Sequence, residues 1–191
     1  MLDLILSYFT RSTFITIFVL SWLSIYFIVT FTILISRYAG LSAWQHREAK
    51  ALESLLMGGR ISLSGSIFQK INTEKISKEA LAIYKGKAER DSTSGLTWLS
   101  IIASTSPFIG LFGTVVSILD TFSKLGGGNS GIETIAPAIS EALVATGCGI
   151  FVAIPAYTFS LLIKRKAYEV MSIISRTADI LLFKANTGKA I

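Results

Sequence analysis

The chain has 191 residues, 51% of them apolar and only 16% charged, with a net charge of +6. A soluble domain carries roughly 25% charged residues, so this composition, with a mean hydropathy of +0.61, excludes an ordinary water-soluble enzyme. One Cys and one His exclude an internal disulfide, a Cys-built zinc or iron–sulfur site and multi-His metal ligation, and no cofactor is expected.

Residues 1–11 read as a short arm whose lone cation is Arg11. The uncharged stretch 12–36, STFITIFVLSWLSIYFIVTFTILIS, is the first predicted span. A span needs about 20 apolar residues, whereas a signal peptide has an apolar core of roughly 7–15 behind a basic start. This run is longer and no basic residue precedes Arg11, so a retained transmembrane helix is expected. Trp22 and Tyr26 add apolar bulk, and Tyr38 and Trp44 fall near the interface.

Residues 37–91 form a charged loop with helical spacing at Leu52, Leu55 and Leu56 and again at Ile76, Leu81, Ile83 and Tyr84. Gly58, Gly59 and Gly65 divide it. The stretch 73–90 has no Pro and one Gly, which predicts one long helix running straight into the second span, 92–119. Residues 120–133 form a hairpin with Gly126–Gly128 as a flexible turn; no Gly-Lys-Ser/Thr follows, so it is not a phosphate loop. The third span, 134–163, is rich in Ala and Gly, contains Pro155, and stops at Lys164, Arg165 and Lys166. The tail 164–191 reads as its helical continuation, with Val170, Ile173, Ile174, Ile180 and Leu181 at helical spacing. The expected fold is an all-α integral membrane protein with three transmembrane helices, the second and third extended into the cytoplasm.

Orientation follows from Lys and Arg. Ten lie in 37–91 and six in 164–191, against Arg11 in the arm and Lys124 in the hairpin. The positive-inside rule puts the loop and tail in the cytoplasm and the N terminus outside. Six acids are interspersed in the loop (Glu48, Glu53, Glu74, Glu79, Glu89 and Asp91), so a nucleic-acid groove is not expected.

Span 1 is apolar all round, which suits lipid. Spans 2 and 3 are different. Ser106, Gly110, Thr114 and Ser117 share one face of span 2, with Gly113 beside them. Ala138, Ala142, Thr146, Gly149 and Ala153 share one face of span 3. Small residues let helix backbones approach closely, and hydroxyls can bond across the contact. These stripes either pack the two spans together or line a pore. Thr114 and Thr146 either bond back to their own helix or relay a proton or hold a water near a carboxylate. Glu141 is the one acid embedded in apolar sequence. A charge inside a bilayer costs at least ~2.5 kcal/mol on insertion scales and usually marks an ion or proton path. Yet Lys164 lies 23 residues further on, about 34 Å of helix, so Glu141 could equally be a wetted charge at the membrane boundary. Cys148 reads as a small packing residue and His46 as solvated.

Two blocks, SPFIGLFGTVVSI (106–118) and APAISEALVATGCGIFVAIPA (136–156), resemble the MotA/TolQ/ExbB proton channel family. The three-span, N-out topology agrees with the TolQ and ExbB branches and not with four-span MotA. The opening LDLILSYF and the STSPF variant before GLFGTV lean towards the TolQ branch. Val116 and Ser117 depart from the Trp-Gly usual there, and Gly147 and Cys148 from an Ala-Ile pair. The resemblance implies a ring-shaped homo-oligomer, a pentamer, in the bacterial inner membrane. Its spans 2 and 3 would line a pore holding a dimer of a one-span TolR- or ExbD-like protein. Proton flow would then drive a TolA- or TonB-like protein that crosses the periplasm. By the same resemblance the essential pore carboxylate falls on Glu141 and the pore threonines on Thr114 and Thr146. A passive three-span scaffold is the competing reading. An enzyme ranks last, because no nucleophile, base and orienting group occur together.

Overall fold

The computed structural model describes residues 14–57, 64–71, 76–125 and 132–187. Among them are four α-helices: α1, Phe14–Leu56; α2, Lys78–Thr93; α3, Leu96–Leu125; and α4, Ile132–Asn186. A short 3-10 helix, Ile67–Lys70, lies between α1 and α2. No strand occurs among the described residues. The arm 1–11 and the hairpin turn at Gly126–Gly128 lie outside them.

Three stretches are long and apolar enough to cross a membrane, within α1, α3 and α4. The 55 residues of α4 make about 80 Å of helix, against a hydrocarbon core of ~30 Å. The tail is therefore helical in continuation of the third span, as its apolar spacing predicts. Two differences from the sequence reading stand out. First, α1 does not stop at its span: it runs unbroken through the first 20 residues of the charged loop. Second, the segment before span 2 is not one helix with it. α2 ends at Ser94, which leaves helical geometry, and Gly95 follows with φ +85°, a left-handed conformation that ends the hydrogen-bond ladder. At its other end α2 is capped by the Ser77 hydroxyl, which accepts from the Ala80 N–H at 3.1 Å.

The chain divides into two compact units. The first comprises residues up to Ile33 together with Trp98–Ser160. Its core is thin and built from modest side chains: Val19, Leu23, Ile102, Ala145, Val152 and Ala156. α1 meets α4 through aromatic pairs, Phe27 stacked on Phe151 and Phe31 edge-on to Phe159, with centroids 5.7 and 5.3 Å apart. Most large apolar side chains point outward, including Phe18, Trp22, Ile28, Phe108, Phe112, Leu143 and Ile154. Such an apolar surface suits lipid or neighbouring protein and not water. α1 is not uniform, however. Thr16, Val19, Leu23 and Thr30 form a buried stripe, and the Thr30 hydroxyl donates to the Tyr26 carbonyl at 2.8 Å.

The second unit comprises Leu34–Thr97 and Leu161 onward. Its core takes Leu41, Ala51 and Leu55 from α1, Leu81 and Ala88 from α2, and Ile163, Val170, Ile174 and Leu181 from α4. Polar contacts fasten its helices. Lys184 donates to the Leu55 carbonyl at 2.9 Å, and Lys85 pairs with Asp179 at 3.2 Å. Glu169 accepts from Lys166 at 3.0 Å and from Gln45 at 3.3 Å. The Lys166 ammonium, which donates to it, holds the Glu169 carboxyl below the usual carboxylate range. Beneath these surface contacts, Glu48 is fully buried. It accepts from the Trp44 indole at 2.9 Å, the Ser66 hydroxyl at 2.7 Å and the Ile67 N–H at 2.8 Å.

Candidate functional site

The small-residue stripes of α3 and α4 meet face to face. A Cβ on Gly110 would lie 2.6 Å from the Ala145 carbonyl oxygen. One on Gly149 would lie 2.6 Å from the Ser106 carbonyl oxygen. Real Cβ atoms do not come so close to backbone, so both positions require glycine for the helices to touch. Gly113 serves a different neighbour: a Cβ there would press on Val19 of α1 at 3.1 Å and on Ala145 at 3.2 Å. Gly147, by contrast, faces open space. Ser106, Gly110, Gly113, Ser117, Ala142, Gly149 and Ala153 are all buried in this region, while Ala138 is half-buried. Ser106 donates back to the Ile102 carbonyl, and Pro107, which follows it, has no N–H to give.

Thr114 and Thr146 lie at the centre of the contact. Their hydroxyl oxygens are 2.6 Å apart, and Thr114 Oγ1 is also 2.8 Å from the Ala142 carbonyl and 3.3 Å from that of Gly110. A hydroxyl has one hydrogen to give. The short distances assign the directions: Thr146 donates to Thr114, and Thr114 donates to Ala142. The pair is therefore neither plain back-bonding nor independent. It is a two-hydroxyl chain that crosses from α4 to α3 and returns to α4.

Glu141 immediately precedes Ala142, the residue whose carbonyl ends that chain. It is half-buried, and its Oε1 is shielded from solvent. Five residues separate it from Thr146, about 7.5 Å along the axis and well over a quarter-turn around it. The carboxylate thus stands on the flank of the α3–α4 contact.

Hydroxyls continue along the same two helices. A cleft of about 510 Å³ is lined by Ser100, Ser104, Tyr157, Thr158 and Ser160. Ser104, Thr158 and Ser160 bond back to carbonyls of their own helices at 2.8 to 3.1 Å. This cleft was not singled out from sequence. Its signal is present, since Ser100 and Ser104 are four apart and Tyr157, Thr158 and Ser160 fall within one turn. No group of three or more acids, His or Cys able to hold a metal occurs among the described residues.

Residues 47–176 match the family described as the MotA/TolQ/ExbB proton channel family. An ExbB-like biopolymer transport protein of Helicobacter pylori is 42% identical over 188 residues, covering 96% of this chain and all of the relative. The chain belongs to the MotA/TolQ/ExbB proton channel family. Shorter matches reach both branches. A TolQ of the Tol-Pal system from Pseudomonas aeruginosa is 41% identical over 78 residues, covering 40% of this chain and 34% of the relative. An ExbB from Neisseria gonorrhoeae is 52% identical over 63 residues, covering 32% and 29%. Thr114, Glu141 and Thr146 all fall within the part matched to the family. With three helices long and apolar enough to cross a bilayer, this family member is a multi-pass membrane protein of the energy-transducing channel type.

Proposed function

We propose that this protein is the channel subunit of a proton-driven motor in a bacterial inner membrane. Copies of it surround a dimer of a one-span partner, and proton flow at their boundary does mechanical work on a protein that reaches across the periplasm. The N terminus lies in the periplasm, and the charged loop and tail lie in the cytoplasm. The observation that carries this reading is the linked Thr114–Thr146 pair, closed onto the carbonyl next to Glu141. Buried hydroxyls within two helical turns of a shielded carboxyl oxygen are what a proton path through a helix pair needs, with water to join them. A lipid-facing packing stripe needs neither.

The full-length relative bears an ExbB-like name, which supports a role in energising transport over the Tol-Pal role towards which the opening segment leans. In this reading Glu141 takes up and releases the proton, the partner's own acid exchanges it, and the threonines hold the wall and the water beside it.

Glu141→Gln keeps size and hydrogen bonding but cannot titrate. The variant is expected to assemble with its partner and lose proton-driven function. Glu141→Asp, which retracts the carboxyl by one methylene, is expected to keep part of it. Proton-motive-force-dependent uptake in cells, measured beside co-purification of the partner, decides the matter. An assembled and fully active Gln variant would favour the passive scaffold.

A further inference from the structure

The second unit contains a cavity of about 390 Å³ lined by Arg37, Arg47, Lys87, Asp91, Trp44 and Ser66, among others. It begins where the uncharged run 12–36 ends, since Arg37 is the first charge after that run. Three cations face one acid. Glu48 lies behind the wall, but its carboxylate is taken up by the Trp44, Ser66 and Ile67 donors. Arg37 gives one Nη2 hydrogen to the Asp91 carbonyl at 2.5 Å, while its Nε is buried with no hydrogen-bond partner. Among the described residues Arg47 and Lys87 enter no ion pair, and both are exposed. An unpartnered buried donor beside two free cations is a site short of an anion.

We propose that this cavity binds the phosphate of an anionic phospholipid headgroup. The chemistry alone fits any phosphate. The position argues for a lipid: Arg37 is the first charge after the uncharged run 12–36, at the end of the part of α1 long and apolar enough to cross a membrane, and the exposed ring of Tyr38 follows it at the same level. Basic side chains next to a membrane-spanning helix collect anionic lipid. At about 390 Å³ the cavity also has room for a phosphate group. This inference requires only that α1 crosses the membrane, and it stands or falls separately from the proton reading.

The test uses the full-length protein in nanodiscs of phosphatidylcholine with and without phosphatidylglycerol. Native mass spectrometry counts phosphatidylglycerol retained on release. Arg47→Gln with Lys87→Gln removes two cations that enter no ion pair among the described residues, so the fold is expected to persist, with an unchanged thermal midpoint in pure phosphatidylcholine. Phosphatidylglycerol binding is expected to weaken about fivefold per charge removed, some 25-fold in all. Lys50→Gln with Arg165→Gln, exposed cations outside the cavity, is expected to leave it unchanged. Equal retention in the cavity variant and the unsubstituted protein overturns the proposal, and so does an equal loss in the control pair. Inorganic phosphate forms the third arm. If it binds with the same dependence on Arg47 and Lys87 while phosphatidylglycerol shows no preference over phosphatidylcholine, the lipid assignment is wrong.

Discussion

Thr114 and Thr146 show how much a single hydrogen can organise. Each threonine could satisfy itself on its own helix, and other hydroxyls in the spans do so, among them Thr30, Thr105 and Thr158. Thr114 instead spends its hydrogen on the neighbouring helix, because Gly110 and Gly149 bring the two backbones close enough. Thr→Val keeps the shape and deletes the hydroxyl. In a double-mutant cycle on thermal unfolding, the pair is expected to couple by about 0.6 kcal/mol and at most ~1.7 kcal/mol, the range for hydroxyl contacts between membrane helices. Either single variant should assemble with the partner yet show reduced proton-driven function. Full activity in both singles and in the double variant would leave the pair a packing device alone. The residue types and their spacing were legible in the sequence. The direction of donation was not, because it depends on which carbonyl the facing helix presents.

Elements tell a similar story through their glycines. Periodicity marks Gly110, Gly113 and Gly149 as one class, but their surroundings separate them. Gly110→Ala or Gly149→Ala drives a methyl into a carbonyl oxygen, and each is expected to cost about 1–3 kcal/mol or to prevent folding, the usual penalty of overpacking. Gly113→Ala meets only the ends of Val19 and Ala145 and should cost less. Gly86, exposed within α2 with nothing near it, should gain roughly 0.5–1 kcal/mol on change to Ala. Thermal melts in detergent rank the four. If Gly149→Ala melts with the unsubstituted protein, the backbone contact is not as close as described. The break between α2 and α3 escaped the sequence reading for a related reason. The helical spacing ends at Arg90, and Gly95 falls inside the second predicted span, where glycines are common. Glu48 is one of six acids interspersed in the loop, and nothing in its spacing marks it for burial. Its donors at Ser66 and Ile67 lie 18 and 19 residues away, across a loop that no helical spacing describes.

At the scale of the whole molecule, the proposed ring would divide the apolar exterior of the first unit between lipid and neighbouring copies. α1 presents Phe18, Ile25 and Ile28; α3 and α4 present Leu111, Val115, Leu143 and Ile150. Single cysteines placed in a Cys148→Ser background are expected to cross-link between copies at Leu111 or Leu143, and to fail at Ile25 or Ile28. Cross-links formed mainly through α1 would reverse the arrangement and place the small-residue helices outside. The three spans and their charge asymmetry were plain in the composition. The ring itself was implied only by resemblance, since the outward side chains of a lone subunit do not declare which neighbour covers them.

The Gly110–Gly149 contact has a mechanical corollary. Helices that touch through backbone have no side-chain cushion between them. Sliding one past the other by a turn, ~5.4 Å, would drive the Ala145 carbonyl through the wall around Ser106. Rolling would break the Thr146-to-Thr114 bond at once. Within one copy, α3 and α4 are therefore latched and turn over no soft bearing of their own. Whatever motion a working cycle demands must be taken up at surfaces outside this latch, where longer and more pliable side chains such as Leu111, Phe112 and Leu143 stand.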